Sequence, residues 1–543
     1  MSRTAIALAL LTALAAAPLA YAQHDDHAGN QTGEKLGTVD FANSCAPAVD
    51  ADFNRAVALL HSFEFRAAIA GFNTVLAADA TCAITGWGIA LAYWGNPFAG
   101  ARSPAALEQG LAAVAKARAT GTSTPRERAY IDAAAALFEN YATVPQRDRI
   151  LAYERGMAEV VRANPDDVEA KIFHALAINQ TALPTDKTYA AQLRATEILE
   201  PLFAMYPDHP GLAHYIIHAY DHPPLAARAL DAARRYSEIA PSAPHALHMP
   251  SHTFTRVGAW QESVDTNRRS EQTAVQAGVP TEALHAMDYQ TYAYLQMAQD
   301  RAAHDVLDRV PAVAAVFDAG ETAGGAAPPL AGFYALAAIP ARYALERGAW
   351  DEAAALTVPS RGPAFTIAIA HFARALGAAR SGRPAAASAD IARLAALRNQ
   401  LKGQDAYWAE QVDIQWRVAS AWVAYAEGRR EEALTAMRAA ADLEDATDKS
   451  AVTPGPLAPA RELLGEMLLE ADMAADALEA FEATMAKEPG RFRGAFGAAR
   501  AAEAAGDAPA ARRYYQRALE IAASADSPRP ELERARSYLA RGA

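Results

Sequence analysis

Residues 207–221 read PDHPGLAHYIIHAYD, residues 241–254 read PSAPHALHMPSHTF, and residues 284–294 read LHAMDYQTYAY. His214, His218 and Asp221 are four and three residues apart. His245, His248 and His252 are three and four apart, and His285, Asp288 and Tyr292 repeat that step. On a helix, such steps keep all three side chains on one face. Three successive helices are therefore expected, each with a polar stripe able to bind a ligand. The chain holds 14 histidines, and seven of them lie between His209 and His252. What the stripes do depends on whether they face one another.

Outside this block the sequence sets broad bounds. A chain of 543 residues, 52% hydrophobic and 21% charged, can bury a large core. A net charge of −13 and the lack of a basic run argue against a nucleic-acid partner. Residues 1–22 read as a secretory signal. Arg3 precedes an apolar run too short for a stable membrane span, and Ala20-Tyr21-Ala22 fits a small-x-small cleavage site. No cysteine near the cut suggests a lipid anchor. Cleavage would leave a leader, 23–51, that opens with Gln23 and contains His24 and His27, read as a polar tail. No later apolar run is long enough to span a membrane, so the protein is expected in the periplasm or secreted. The only two cysteines, Cys45 and Cys82, then read as a disulfide. That pairing would remove both sulfurs as metal ligands.

The remaining sequence is helical in pattern, with almost no strand alternation. A unit recurs: a helix, a turn often marked by Gly, and a second helix that ends near Pro. Its turns include Gly258-Ala259-Trp260-Gln261-Glu262-Ser263, Gly348-Ala349-Trp350-Asp351-Glu352-Ala353 and Gly428-Arg429-Arg430-Glu431-Glu432-Ala433. Pro207 and Pro241 end successive units and stand 34 residues apart. In these features the chain resembles the tetratricopeptide repeat family, across most of 52–523 and in roughly ten helix pairs. Its histidine block looks like that of exported bacterial tetratricopeptide proteins carrying HYxIHAYD and APHALHMPSH motifs. The resemblance implies an all-α, right-handed superhelical solenoid of antiparallel helix pairs. A Gly/Pro-rich break at 320–329 suggests an N-terminal array, 52–319, and a C-terminal array, 330–543. Residues 446–459 read as another long turn-rich connection. Thr124-Pro125-Arg126-Glu127 reads as a capping box, and 530–541 as a capping helix.

In the family pattern, the first helix of each pair lines a concave groove, with its second, fifth, ninth and twelfth residues facing inward. Starting such helices at Pro210, Pro244 and Leu284 places all three stripes on that wall, on helices about 8–10 Å apart. Imidazoles and carboxylates gathered in this way suit a borderline divalent ion: Zn, Cu, Fe or Ni. His214, His218, Asp221, His245, His248 and His252 could hold one ion or two. Asp221, Asp288 and Tyr292 could instead orient the rings from behind. His285, Asp288, Tyr292 and Arg342 are assigned supporting or substrate-contacting places. Pro250 should kink its helix and so aim His252 toward its neighbours. His61 and His371 are weaker candidates, Trp87 and Trp94 possible wall residues, and Glu462 and Glu466 a solvated acidic step. His209 and His222, beside prolines, are expected to face solvent. Three functions are open: a metal-dependent enzyme with a small-molecule substrate, a scaffold that binds a peptide or protein in its groove, and a metal store. No phosphate loop, nucleophile elbow or His-Glu-x-x-His motif adds a named reaction.

Overall fold

A computed structural model describes residues 33–122, 124–320 and 325–541. The expected signal segment, with His24 and His27, lies outside the described residues. Among the described residues there is no strand, and the chain is all-α. Counting the segments either side of Met249 as one broken helix, twelve helix pairs succeed one another from Asp50–His61 and Phe65–Ala78 to Phe492–Ala504 and Ala508–Ile521. The single helix Pro530–Arg541 comes after them. Among the described residues this is an α-solenoid of helix pairs, with two more pairs than the turn motifs suggest. No described helix is long and apolar enough to cross a membrane.

Local sequence chemistry sets the helix starts. Proline occupies the first turn at Pro104, Pro125, Pro210, Pro244, Pro280, Pro329 and Pro530, where its missing N–H costs no hydrogen bond. The Ser103, Thr124, Asp167, Asp405 and Asp507 side chains accept from the backbone N–H three residues on. Thr124 caps its helix as expected, but Glu127 does not complete the box. Its carboxylate instead accepts from the Ser44 N–H at 2.6 Å and the Ser44 hydroxyl at 2.7 Å, which ties down the leader. The third helix of the histidine block opens at Pro280 rather than Leu284, one turn early. Its inward face is unchanged, because one turn preserves the phase.

Residues 35–51 of the leader pack onto the repeats. Phe41 sits among Phe53, Trp87 and Tyr130 with ring centroids 5.0–5.5 Å apart, and Cys45 is bonded to Cys82 with the Cα atoms 4.7 Å apart. Trp87 and Trp94 are buried core residues, not wall residues. Distant parts of the solenoid also meet. Gly258, at φ 74°, ends its helix where a Cβ would lie 2.6 Å from the Pro489 carbonyl oxygen. Beside it, the Trp260 indole donates to the Gly490 carbonyl at 2.8 Å.

The connection 446–459 crosses the inner face of the histidine block, and its hydrogen bonds hold it there. Tyr289 donates toward the Ala451 and Thr453 carbonyls. Arg342 donates to Thr453 Oγ1 at 2.7 Å and to the Gly455 and Pro456 carbonyls at 3.0 and 2.9 Å. The groove is therefore closed at this level.

Candidate metal centre

Three first helices position the six imidazoles. Pro210–Tyr220 carries His214 and His218. Pro244–His248 and Pro250–Val257 carry His245, His248 and His252. Pro280–Gln296 carries His285. Pro250 interrupts the second of these as its missing N–H requires, and Met249 is left outside both segments. All six residues are between 0 and 9% exposed. Their donor atoms gather in two sets, His214/His218/His245 and His248/His252/His285, with the donors of each set within 4.8 Å of one another.

The hydrogen bonds fix which nitrogen is bare. His214 Nδ1 faces the His61 carbonyl at 2.6 Å, so it carries the proton. Its Nε2 has no hydrogen-bond partner. His248 Nδ1 faces Asn267 Oδ1 at 2.8 Å, while the Asn267 amide donates to the Ser263 carbonyl. That orientation makes Asn267 Oδ1 the acceptor and leaves His248 Nε2 bare. His252 Nδ1 donates to Asp221 Oδ2 at 2.9 Å, which leaves its Nε2 bare as well. His218 Nε2, both ring nitrogens of His245, and His285 Nδ1 are buried without partners among the described residues. Orphaned buried polar atoms in such number are rare in a folded protein.

Electrostatics keep five of these rings neutral. Burial holds His214, His218, His248 and His285 well below the ordinary imidazole range, and neighbouring rings add to the effect. Burial pushes His252 down to about 4 against the pull of Asp221. Burial raises Asp221, but Lys449 and Arg256 outweigh it and keep the carboxyl well below its usual range. Asp221 is thus an ionised acceptor.

Asp221 is not among the converging donors. Pro210–Tyr220 ends one residue before it, and its φ/ψ of −72°/50° turns it off the helical stripe. It instead holds His252, takes Arg256 Nε at 2.9 Å, and lies 3.5 Å from Lys449 Nζ. His285, assigned to a supporting place, belongs to the donor set, with its ring 4.4 Å from that of His248. Asp288 and Arg342 contact each other at 2.8 Å, both fully buried. The Tyr292 hydroxyl receives Arg491 Nη1 at 3.0 Å. These three brace the inner wall and do not reach the imidazoles.

Several neighbours are not legible as site residues in the sequence. Phe63, at φ 58°, lays its ring 4.3 Å from His214, 5.6 Å from His218 and 5.7 Å from His245. Phe98 covers His218 at 4.4 Å. Glu282 Oε2, buried and without a hydrogen-bond partner, lies 3.6 Å from His245 Nδ1. Glu64 accepts the His245 N–H, and burial beside Glu282 pushes its carboxyl up to about 8.

A third set, His61/Glu169/His209, also meets donor spacing, but its atoms are spent on each other. Glu169 takes His61 Nε2 at 2.9 Å and His209 Nε2 at 3.0 Å, and His61 Nδ1 meets the Tyr215 hydroxyl at 2.9 Å. Burial raises the Glu169 carboxyl, yet His209 and His61 hold it far below the usual range. This is a core network paired through Glu169, in which His209 Nδ1 is left without a hydrogen-bond partner among the described residues. His209, expected at the surface, is buried within it. His371 is similarly paired, with Asp390 at 2.7 Å. The acidic step is also internal: Glu462 pairs with Arg491 at 2.9 Å and Glu466 with Arg380 at 3.1 Å.

No family profile and no curated protein matches this chain. Among solved structures, the human IFIT1 dimer with m7Gppp-AAAA is similar at 10% identity and a TM-score of 0.39, over 81% of this chain and 90% of that one.

Proposed function

We propose that this protein binds divalent transition-metal ions through His214, His218, His245, His248, His252 and His285, outside the cytoplasm. One observation carries the reading. His248 and His252 face each other through bare Nε2 atoms 3.0 Å apart, with the Tyr289 hydroxyl 3.4 Å from His252 Nε2, inside a buried cluster that holds further ring nitrogens without partners. Lone pairs pointed at one another repel unless a cation lies between them. An all-imidazole donor set suits Zn, Cu, Ni or Fe. Thiolate chemistry does not enter, because both cysteines are in the disulfide. The bridge and the N-terminal sequence support a periplasmic or secreted location.

A scaffold that lays a peptide along these stripes fits less well, since 446–459 occupies the inner face. The test is elemental mass spectrometry on protein purified without a polyhistidine tag or chelator. Stoichiometric metal is expected, diminished in His248→Ala and retained in full in His304→Ala. A metal-free wild type that also fails to take up added Zn(II) overturns the reading.

A further inference from the structure

We infer that the cluster is a dinuclear centre. One ion sits on His214, His218 and His245, the second on His248, His252 and His285, and a small anion bridges the pair. The inference rests on the proposed metal binding and adds nuclearity, ligand partition and ligand class.

Geometry partitions the donors. Ligands on opposite sides of one ion at about 2.0–2.1 Å stand at most about 4.2 Å apart. The six rings instead form two sets of three. Within each set the donor atoms all lie within 4.8 Å of one another, and no donor group spans the two sets. The two sets are adjacent yet distinct. Each also has its own orientation lock, the His61 carbonyl behind His214 in one, and Asn267 and Asp221 behind His248 and His252 in the other. Outer hydrogen bonds of this kind fix which nitrogen faces a metal.

The coordination number then implies a further ligand. Three imidazoles leave at least one position open on each ion, and the two open faces share the boundary between the sets. Six imidazole ligands contribute no negative charge against two divalent ions. Asp221 is already matched by Arg256 and Lys449. Glu282 Oε2 lies 3.6 Å from His245 Nδ1 and adds one carboxylate beside the first set. A buried pair of dications needs more negative charge than this. Hydroxide, or another anion of a few atoms, would supply that charge, whereas a peptide would not reach rings this buried.

The test uses the full mature chain, stripped of metal and titrated with Zn(II) by calorimetry and elemental analysis. The wild type is expected to bind two ions, and His214→Ala and His285→Ala one each. A wild type that binds a single ion overturns the dinuclear centre and leaves metal binding standing. No binding at all overturns both. Wild-type protein loaded with two equivalents of Cu(II) provides a readout independent of variant folding. A bridged pair couples its spins, so the electron paramagnetic resonance signal should fall well below that of two separate ions, and added azide should shift the absorption spectrum. Full intensity for two uncoupled ions, unmoved by azide, overturns the bridge.

Discussion

His248 and His252 present their Nε2 atoms to each other at 3.0 Å, and neither nitrogen carries a proton to share. Each ring has committed its proton to the opposite side, one to Asn267 and one to Asp221. Both rings are held neutral by burial. Two neutral acceptors this close match ligands on one ion, and the remaining site geometry is consistent with that relationship.

The lock behind His248 should be separable from the ligand itself. Asn267→Leu removes the acceptor for Nδ1–H while leaving the coordinating nitrogen in place. Metal affinity is expected to drop about 10–100-fold, with the helical circular dichroism signal preserved. Competition titration against a chromogenic chelator measures the change. Unaltered affinity would mean that Asn267 does not set the ring.

Stability of the metal-free protein should depend on pH in one direction. A base with a lower pKa folded than unfolded costs nothing above its unfolded value. It costs steadily more as pH falls toward its folded value, because only the unfolded chain takes up the proton. For His252 that window runs from 6.5 down to about 4. His214, His218, His248 and His285 shift in the same direction. At about pH 5 the His252 ring costs about 2 kcal/mol, and the other four act in the same direction. The melting temperature of metal-free protein is therefore expected to fall steeply below about pH 6.5. A flat profile down to about pH 5 would contradict the buried, neutral assignment.

The fold is readable in the sequence because helix periodicity and the 34-residue proline spacing are local signals. The stripes are readable for the same reason, and the structure brings five of the six expected donors together. Asp221 departs from expectation because the three-and-four step assumes a helix that continues, and this one ends at Tyr220. His285 takes its place, since its helix presents the same phase as its neighbours. Phe63, Glu282 and Lys449 carry no local mark. They reach the cluster from an early turn, from the first turn of a helix and from the 446–459 crossing, contacts set by how the solenoid coils. Glu462 and Glu466 look solvated in the sequence because their arginine partners Arg491 and Arg380 are remote along the chain.

The leader should contribute measurably to stability. The Cys45–Cys82 bond closes a 37-residue separation, and loop-closure entropy of that length is worth about 3–4 kcal/mol. Cys45→Ser/Cys82→Ser is expected to lower the denaturation midpoint accordingly, leaving metal stoichiometry unchanged. Thiol titration of the denatured, unreduced wild type should find no free thiol. Two free thiols would rule out the bridge.

The most direct measurement is anomalous diffraction from crystals of untagged, metal-loaded protein, collected on either side of the metal's absorption edge. Anomalous density is predicted within the cluster, bonded to His248, His252 and His285, with a second peak at His214, His218 and His245. Metal confined to the surface, or no anomalous density among these imidazoles in crystals grown with the ion, would contradict the claim that they form a metal centre.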